Sequence, residues 1–275
     1  MPYRHAHYWL LALFPLIVLS FWPGYFGQLA TARAAQHAHG ITATLWLLLL
    51  TVQSWWAHAK RFAWHRASGL AVFAVVPLFA AAGMLGVRDM AARMNAGAPF
   101  ETAFAPAVAP DDLSSIVALV GFVAAALATR RRVGRHAAWM LATALLVLPP
   151  VTGRLVQVLA QFAGLESPSF WTSFVIGQSV SIAAALLLAS RRRAEARPFV
   201  VLTAVFVAHL AAYQLLGSNP GWRAMLAAFG ASPPLPSAGA VGVLALATLV
   251  LAWRRVPARS RAVARRPSTL EPVQP

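Results

Sequence analysis

Eight apolar runs, separated by short polar turns, leave this chain few folds to choose from. A helix that crosses the hydrocarbon core of a bilayer needs about 20 mostly apolar residues. Stretches near that length lie at roughly 8–27, 38–57, 67–87, 113–129, 136–161, 169–190, 198–216 and 236–253, the fourth short and the fifth long. They are continuously apolar rather than alternating, which predicts helices and not the strands of a membrane barrel. Only 11% of the residues are charged, against about 25% in a soluble domain, so most of the surface meets lipid. The sequence therefore predicts an all-α polytopic membrane protein of about eight transmembrane helices. Its single transmembrane domain covers 1–253, with a four-helix core of helices two to five over about 37–161.

The net charge of +16 would suggest nucleic acid in a soluble chain. Placement argues otherwise, because the basic residues cap the apolar runs, where they fix orientation. With the N-terminus inside, 18 of the 23 Arg and Lys residues fall on the cytoplasmic side; only Arg33, Arg88, Arg93, Arg154 and Arg223 lie at or near the outside. Eight spans with both termini cytoplasmic thus satisfy the positive-inside rule, as expected for a bacterial inner membrane. The anticipated partners are the bilayer and anionic lipids at the cytoplasmic face. Trp9, Trp55, Trp56, Trp64, Trp139 and Trp253 fall at the inner interface and Trp22, Trp171 and Trp222 at the outer one, as in an aromatic belt.

Arg4, the apolar run after it and the later ATARA have the outline of a signal peptide, but the gap holding Pro23, Tyr25 and Phe26 favours a retained first helix. Residues 88–112, with Asp89, Glu101, Asp111 and Asp112, and residues 217–235 are expected as outer connectors. The Arg- and Pro-rich stretch 254–275 is expected to be a disordered basic tail in the cytoplasm. Gly121 with Ala125, and Ala124 with Ala128, have the four-residue spacing that lets helices approach closely. Cysteine is absent, which removes disulfides, thiolate metal sites and iron–sulfur clusters.

The chemistry available is mainly imidazole. Arg-x-x-x-His occurs twice at the mouth of a helix, as Arg61 to His65 and Arg132 to His136. Prolines follow about thirteen residues on, Pro77 in one case and Pro149–Pro150 in the other. This is a weak internal repeat of the kind membrane folds often contain. His65 and His136 share an inner layer on the third and fifth helices, which are diagonal neighbours in an up-down bundle. From there they could ligate one iron, as in a b-type haem. The arginines beside them, Arg61, Arg66, Arg132 and Arg135, could pair with propionates. Gln53 lies on nearly the same helix face as His39. Arg154 lies about 27 Å of helix rise beyond His136, in an outer layer with His39. That layer has the groups for a quinone, a lipid headgroup or a haem propionate, or for a buried polar contact. His5, His7 and His58 read as interfacial residues, and His209 as an interhelical hydrogen-bond partner in mid-membrane. The helix cores are expected to carry no Asp or Glu, which disfavours a carboxylate proton relay. Phosphate-binding glycine loops, HExxH and hydrolytic carboxylate pairs are also missing.

The order QHAHG, Gln53, His65-Arg66-x-x-Gly69, His136-x-x-Trp139-Met140 and Arg154 resembles the prokaryotic membrane proteins of domain of unknown function 2306. The resemblance covers about residues 37–160. Leu70 and Ala137 stand where that family often has arginine. It implies the membrane fold and no activity. More distantly, the chain is similar to two-haem b-type cytochromes, whose bundles place histidines on four successive helices. The fourth helix here has none, so that likeness implies at most one haem. Two functions follow as expectations: an electron carrier linked to haem b or a quinone, with a redox partner, or a non-redox permease or assembly factor with structural histidines. Either is compatible with a homo-oligomer.

Overall fold

The computed structural model describes residues 3–256, and within them there are helices and no strands. In chain order the helices are α1 (Ala6–Phe21), α2 (Ala34–His58), α3 (Phe62–Gly69), α4 (Val72–Asn95), α5 (Pro99–Ala128) and α6 (Val133–Leu145). They continue with α7 (Leu148–Phe162), α8 (Phe170–Arg191), α9 (Arg197–Leu216), α10 (Pro220–Ala231) and α11 (Pro234–Arg254). Seven segments are long and apolar enough to cross a membrane: α2, α4, α5, α6 with α7 as one unit, α8, α9 and α11. α1 is apolar but shorter, at 16 residues. The chain is an all-α polytopic membrane protein. The tail expected over 254–275 lies, from residue 257 onward, outside the described residues.

Two expected connectors are helical. Residues 88–112 complete α4 and form the first half of α5, with a three-residue turn at 96–98 between them. Two of their acids are paired with arginines: Arg33 Nε donates to Asp89 at 2.7 Å, and Arg93 Nε to Glu101 at 2.5 Å. Pairing removes much of the cost of placing a charge near lipid. Pro106 and Pro110 lie inside α5. Each lacks an N–H, so the carbonyl four residues before it loses its helical donor. α10, from the second expected connector, supplies both replacements. Arg223 Nη2 donates to the Thr102 carbonyl at 3.0 Å and Trp222 Nε1 to the Pro106 carbonyl at 2.7 Å.

In the outer half, meaning the arginine-poor side, seven helices form a closed ring. α1 packs on α2, α2 on α4, α4 on α5, α5 on α9, α9 on α8, α8 on α7, and α7 again on α1. α11 lies outside this ring against α4 and α5, and one buried cluster joins α2, α4, α5 and α6 with Leu10 of α1 and Leu249 and Ala252 of α11. α6 packs chiefly on α5 and α9, whereas α7 packs on α8 and α1. The fifth span therefore runs inside the ring at its inner end and joins the wall at its outer end. The break at 146–147, followed by Pro149 and Pro150, is where it changes course.

Close helix approach occurs at Gly153 and Gly177 rather than at Gly121. A methyl on Gly177 would lie 2.5 Å from the Pro149 carbonyl oxygen and one on Gly153 2.9 Å from that of Ser173, while Gly121 has open space. Replacing Trp222 by Phe keeps an aromatic ring but orphans the Pro106 carbonyl. It is expected to cost about 1–3 kcal/mol, read as a lowered thermal unfolding midpoint in detergent. An unchanged midpoint would show that α10 does not satisfy the kinked helix.

Candidate functional site

The inner site grows from two equivalent helix starts. Arg61 and Arg132 are the N-cap residues of α3 and α6, and their carbonyls accept the His65 and His136 backbone N–H groups at 3.0 and 2.9 Å. Each Arg-x-x-x-His is thus a cap followed by the fourth helical residue. The equivalence sets the imidazoles at one depth, with ring centres 6.4 Å apart and planes near perpendicular at 80°.

The remaining contacts fix the rings. His136 Nδ1 lies 2.9 Å from the Ala126 carbonyl. A carbonyl only accepts, so this nitrogen carries the proton and Nε2 holds the lone pair. His65 Nδ1 lies 3.2 Å from the Gln53 backbone carbonyl. The Gln53 side chain satisfies its neighbours when its amide nitrogen faces the His65 carbonyl at 3.0 Å and its oxygen faces Gly69 N–H at 3.1 Å; that orientation also brings the nitrogen 2.7 Å from His65 Nδ1. In either amide orientation Gln53 engages the Nδ1 edge of His65. A methyl on Gly69 would stand 3.4 Å from the Gln53 side chain, an ordinary contact. The structure therefore joins Gln53, His65, Gly69 and His136. His58 instead meets His7 and His5, with ring centres 5.0 and 6.2 Å apart. His7 is 4% exposed and packed against its neighbours, a correction to its reading as an interfacial residue.

The outer site is a chamber. Where the fifth span leaves α5 to join the wall, Asp112 of α5 faces Arg154 of α7 across the ring, with Asp111 and His39 of α2 also within electrostatic reach of Arg154. His39, Asp112 and Arg154 are exposed although neighbouring helices surround them. They line a recess among the helices. Arg154 also lies over the Phe21 ring at 4.5 Å, and His39 meets Phe79 edge-on at 5.3 Å. The sequence paired His39 with Arg154, and the two lie within electrostatic reach of each other. The structure separates Gln53 from His39: Gln53 belongs to the inner site.

Asp111 and Asp112 overturn the expectation that no helix core carries an acid. Asp111 pairs with His209 Nδ1 of α9, and Gln178 Nε2 of α8 donates to the same carboxylate at 3.3 Å. Because Asp111 accepts from Nδ1, that nitrogen bears a proton, and Gln178, 3.4 Å from it, donates to the carboxylate alone. Gln178 is 0% and His209 2% exposed. The Gln178 Oε1 and His209 Nε2 atoms are buried without a hydrogen-bond partner. One sequence signal for this half of α5 was available: Pro99 followed by Glu101 is a helix-start signature. Gln178, in mid-span, was an intramembrane polar residue left unassigned.

At the inner rim, Arg130 lies 4.0 Å over the Trp253 ring and donates to the Trp253 carbonyl at 2.9 Å, which ties the end of α5 to that of α11. Burial first, then neighbouring Arg131, hold its guanidinium below the usual arginine range. Comparison of the chain with protein-family models, with curated proteins and with solved structures finds no match.

The buried Asp111–His209 pair yields a prediction. Removing one partner leaves the other uncompensated, so His209→Ala is expected to cost about 3 kcal/mol in equilibrium unfolding. The double variant Asp111→Asn/His209→Ala should cost less than the two single changes added together. Additive losses would show that the two residues do not interact.

Proposed function

We propose that this chain is an electron-transfer protein of a bacterial inner membrane, oriented with its arginine-rich turns in the cytoplasm, and that His65 and His136 are the axial ligands of a b-type haem. The observation that carries this reading is the inner pair itself. Two imidazoles bound to one ion from opposite sides, at roughly 2 Å per metal–nitrogen bond, place their ring centres roughly 6 Å apart, and these stand at 6.4 Å. Ligating histidines characteristically use the other ring nitrogen to hold a carbonyl. The Nδ1 of His136 faces the Ala126 carbonyl in this way, and that of His65 faces the Gln53 carbonyl. Ligation of His65 through Nε2 would settle its proton on Nδ1, where the Gln53 backbone carbonyl accepts it once the Gln53 side chain turns its amide oxygen, not its nitrogen, toward the ring. Exposed Arg61, Arg66, Arg132 and Arg135 lie within four residues of the pair along the chain, cations suited to propionates or anionic headgroups. When bound, the haem supplies one-electron chemistry. The chain's own residues then hold the iron, orient its ligand rings and neutralise its carboxylates.

A non-redox permease is the second reading, favoured by one observation: the carboxylate of Asp112 and the guanidinium of Arg154 are both exposed among apolar helices. It requires solute flux in proteoliposomes that does not depend on His65 or His136.

An optical spectrum separates the readings. The purified protein, expressed with added haem precursor, is expected to show a reduced-minus-oxidised α band that His136→Ala abolishes and His5→Ala leaves intact. A protein without Soret absorbance under those conditions overturns the haem assignment.

A further inference from the structure

The outer chamber has an entrance as well as a polar lining. α1 alone closes the ring between α2 and α7, which do not pack on each other. It stops at Phe21, whose ring lies 4.5 Å from the Arg154 guanidinium carbon. The chain then turns away from α7. Tyr25 lies 3.1 Å from His37 Nδ1 on α2 and within 3.0 Å of a methyl built on Gly40, and Arg33 pairs with Asp89 on α4. The segment after Phe21 thus lies over α2 and α4 rather than over α7. A ligand that reaches Arg154 between α1 and α7 comes from the lipid and arrives sideways.

The lining restricts the ligand further. Arg154 provides hydrogen-bond donors, Asp112 provides an acceptor, and His39 provides either. The Phe21 and Phe79 rings stand beside the polar groups, so the walls suit a flat apolar body. A lipid-soluble ring with oxygens at opposite ends suits the exposed groups Arg154, His39 and Asp112. Its carbonyls accept from Arg154 or His39, and its hydroxyls donate to Asp112 when it is reduced.

We infer that the chamber bounded by His39, Asp112, Arg154 and Phe21 binds the head group of a quinone in both its oxidised and reduced forms. The choice of a quinone over other flat amphiphiles rests on the redox reading above; the binding itself does not require the haem. The ring enters between α1 and α7 and lies against the Phe21 face. Arg154 holds the ligand in both states, while Asp112 distinguishes the hydroquinone from the quinone because only the hydroquinone can donate to it.

The test is calorimetric titration of the full-length protein in nanodiscs with decylubiquinone and with its reduced form. Saturable binding of both is expected. Arg154→Gln should weaken both by about tenfold, the loss of one charge-assisted hydrogen bond. Asp112→Asn should weaken the reduced form more than the oxidised one. Protein expressed without added haem precursor should bind both equally well, which separates this inference from the haem assignment. Binding that neither chamber substitution alters would overturn it. Should the variants fail to fold, photolabelling of the wild-type protein with an azidoquinone decides the matter: label is expected on α1, α2, α5 or α7 and should be displaced by unlabelled quinone. Label confined to other helices, or displaced by phosphatidic acid but not by quinone, defeats the proposal.

Discussion

The change of course in the fifth span governs the interior of this molecule. A straight helix continuing from α6 would stay against α5 and α9 and fill the ring to its outer end. Instead the span breaks at 146–147, Pro149 and Pro150 follow, and α7 packs on α8 and α1. Small residues make the new packing possible: Gly153 and Gly177 bring α7 and α8 into backbone contact, where a methyl on either glycine would meet a carbonyl oxygen. The space left beside α5 is bounded on one side by Asp112 and on the other by Arg154. Opposite charges attract across such a space, yet both side chains remain exposed. The chamber is thus a consequence of backbone geometry, and the charges are where the backbone leaves room for them.

The same economy explains how acids and prolines coexist in α5. Two prolines remove two helical hydrogen bonds, which would be costly in lipid, where water cannot substitute. α10 folds over this part of the helix and donates to both freed carbonyls through Trp222 and Arg223. Below it, Asp111 meets His209 and Gln178. A segment that looks locally like a polar connector is therefore stabilised as helix by partners about a hundred residues further along the chain or, for Gln178, 67 residues further on.

That distance marks what the sequence made legible. Spans bounded by arginine turns and made of uninterrupted apolar residues were readable to within a few positions: 38–57 became Ala34–His58, 198–216 became Arg197–Leu216 and 236–253 became Pro234–Arg254. The fourth, expected at 113–129, begins at Pro99, because its acids and prolines argue for a loop until their distant donors are known. The inner pair was legible because Arg-x-x-x-His states its own geometry, a cap and the first turn. His39 with Arg154 was legible from depth alone. Asp111, Asp112 and Gln178 were not, since their place depends on which way the fifth span turns at its prolines. That direction is set by packing against α1 and α8.

The two helix starts also show how a duplicated device yields unequal halves. His65 and His136 occupy the same position after the same cap, yet α3 runs 8 residues before its break and α6 runs 13. After the shorter piece, α4 continues in the ring between α2 and α5 and carries Phe79 to His39. After the longer piece, α7 leaves α5 altogether. A break nearer the histidine redirects the chain before it has entered the bundle, so the span can still take its place in the wall. A break five residues later comes after α6 has packed against α5 and α9, and the remainder must move outward past α8. The lengths of these first helical pieces, more than their shared motif, therefore place a histidine pair at the inner end of the bundle and open space at the outer end.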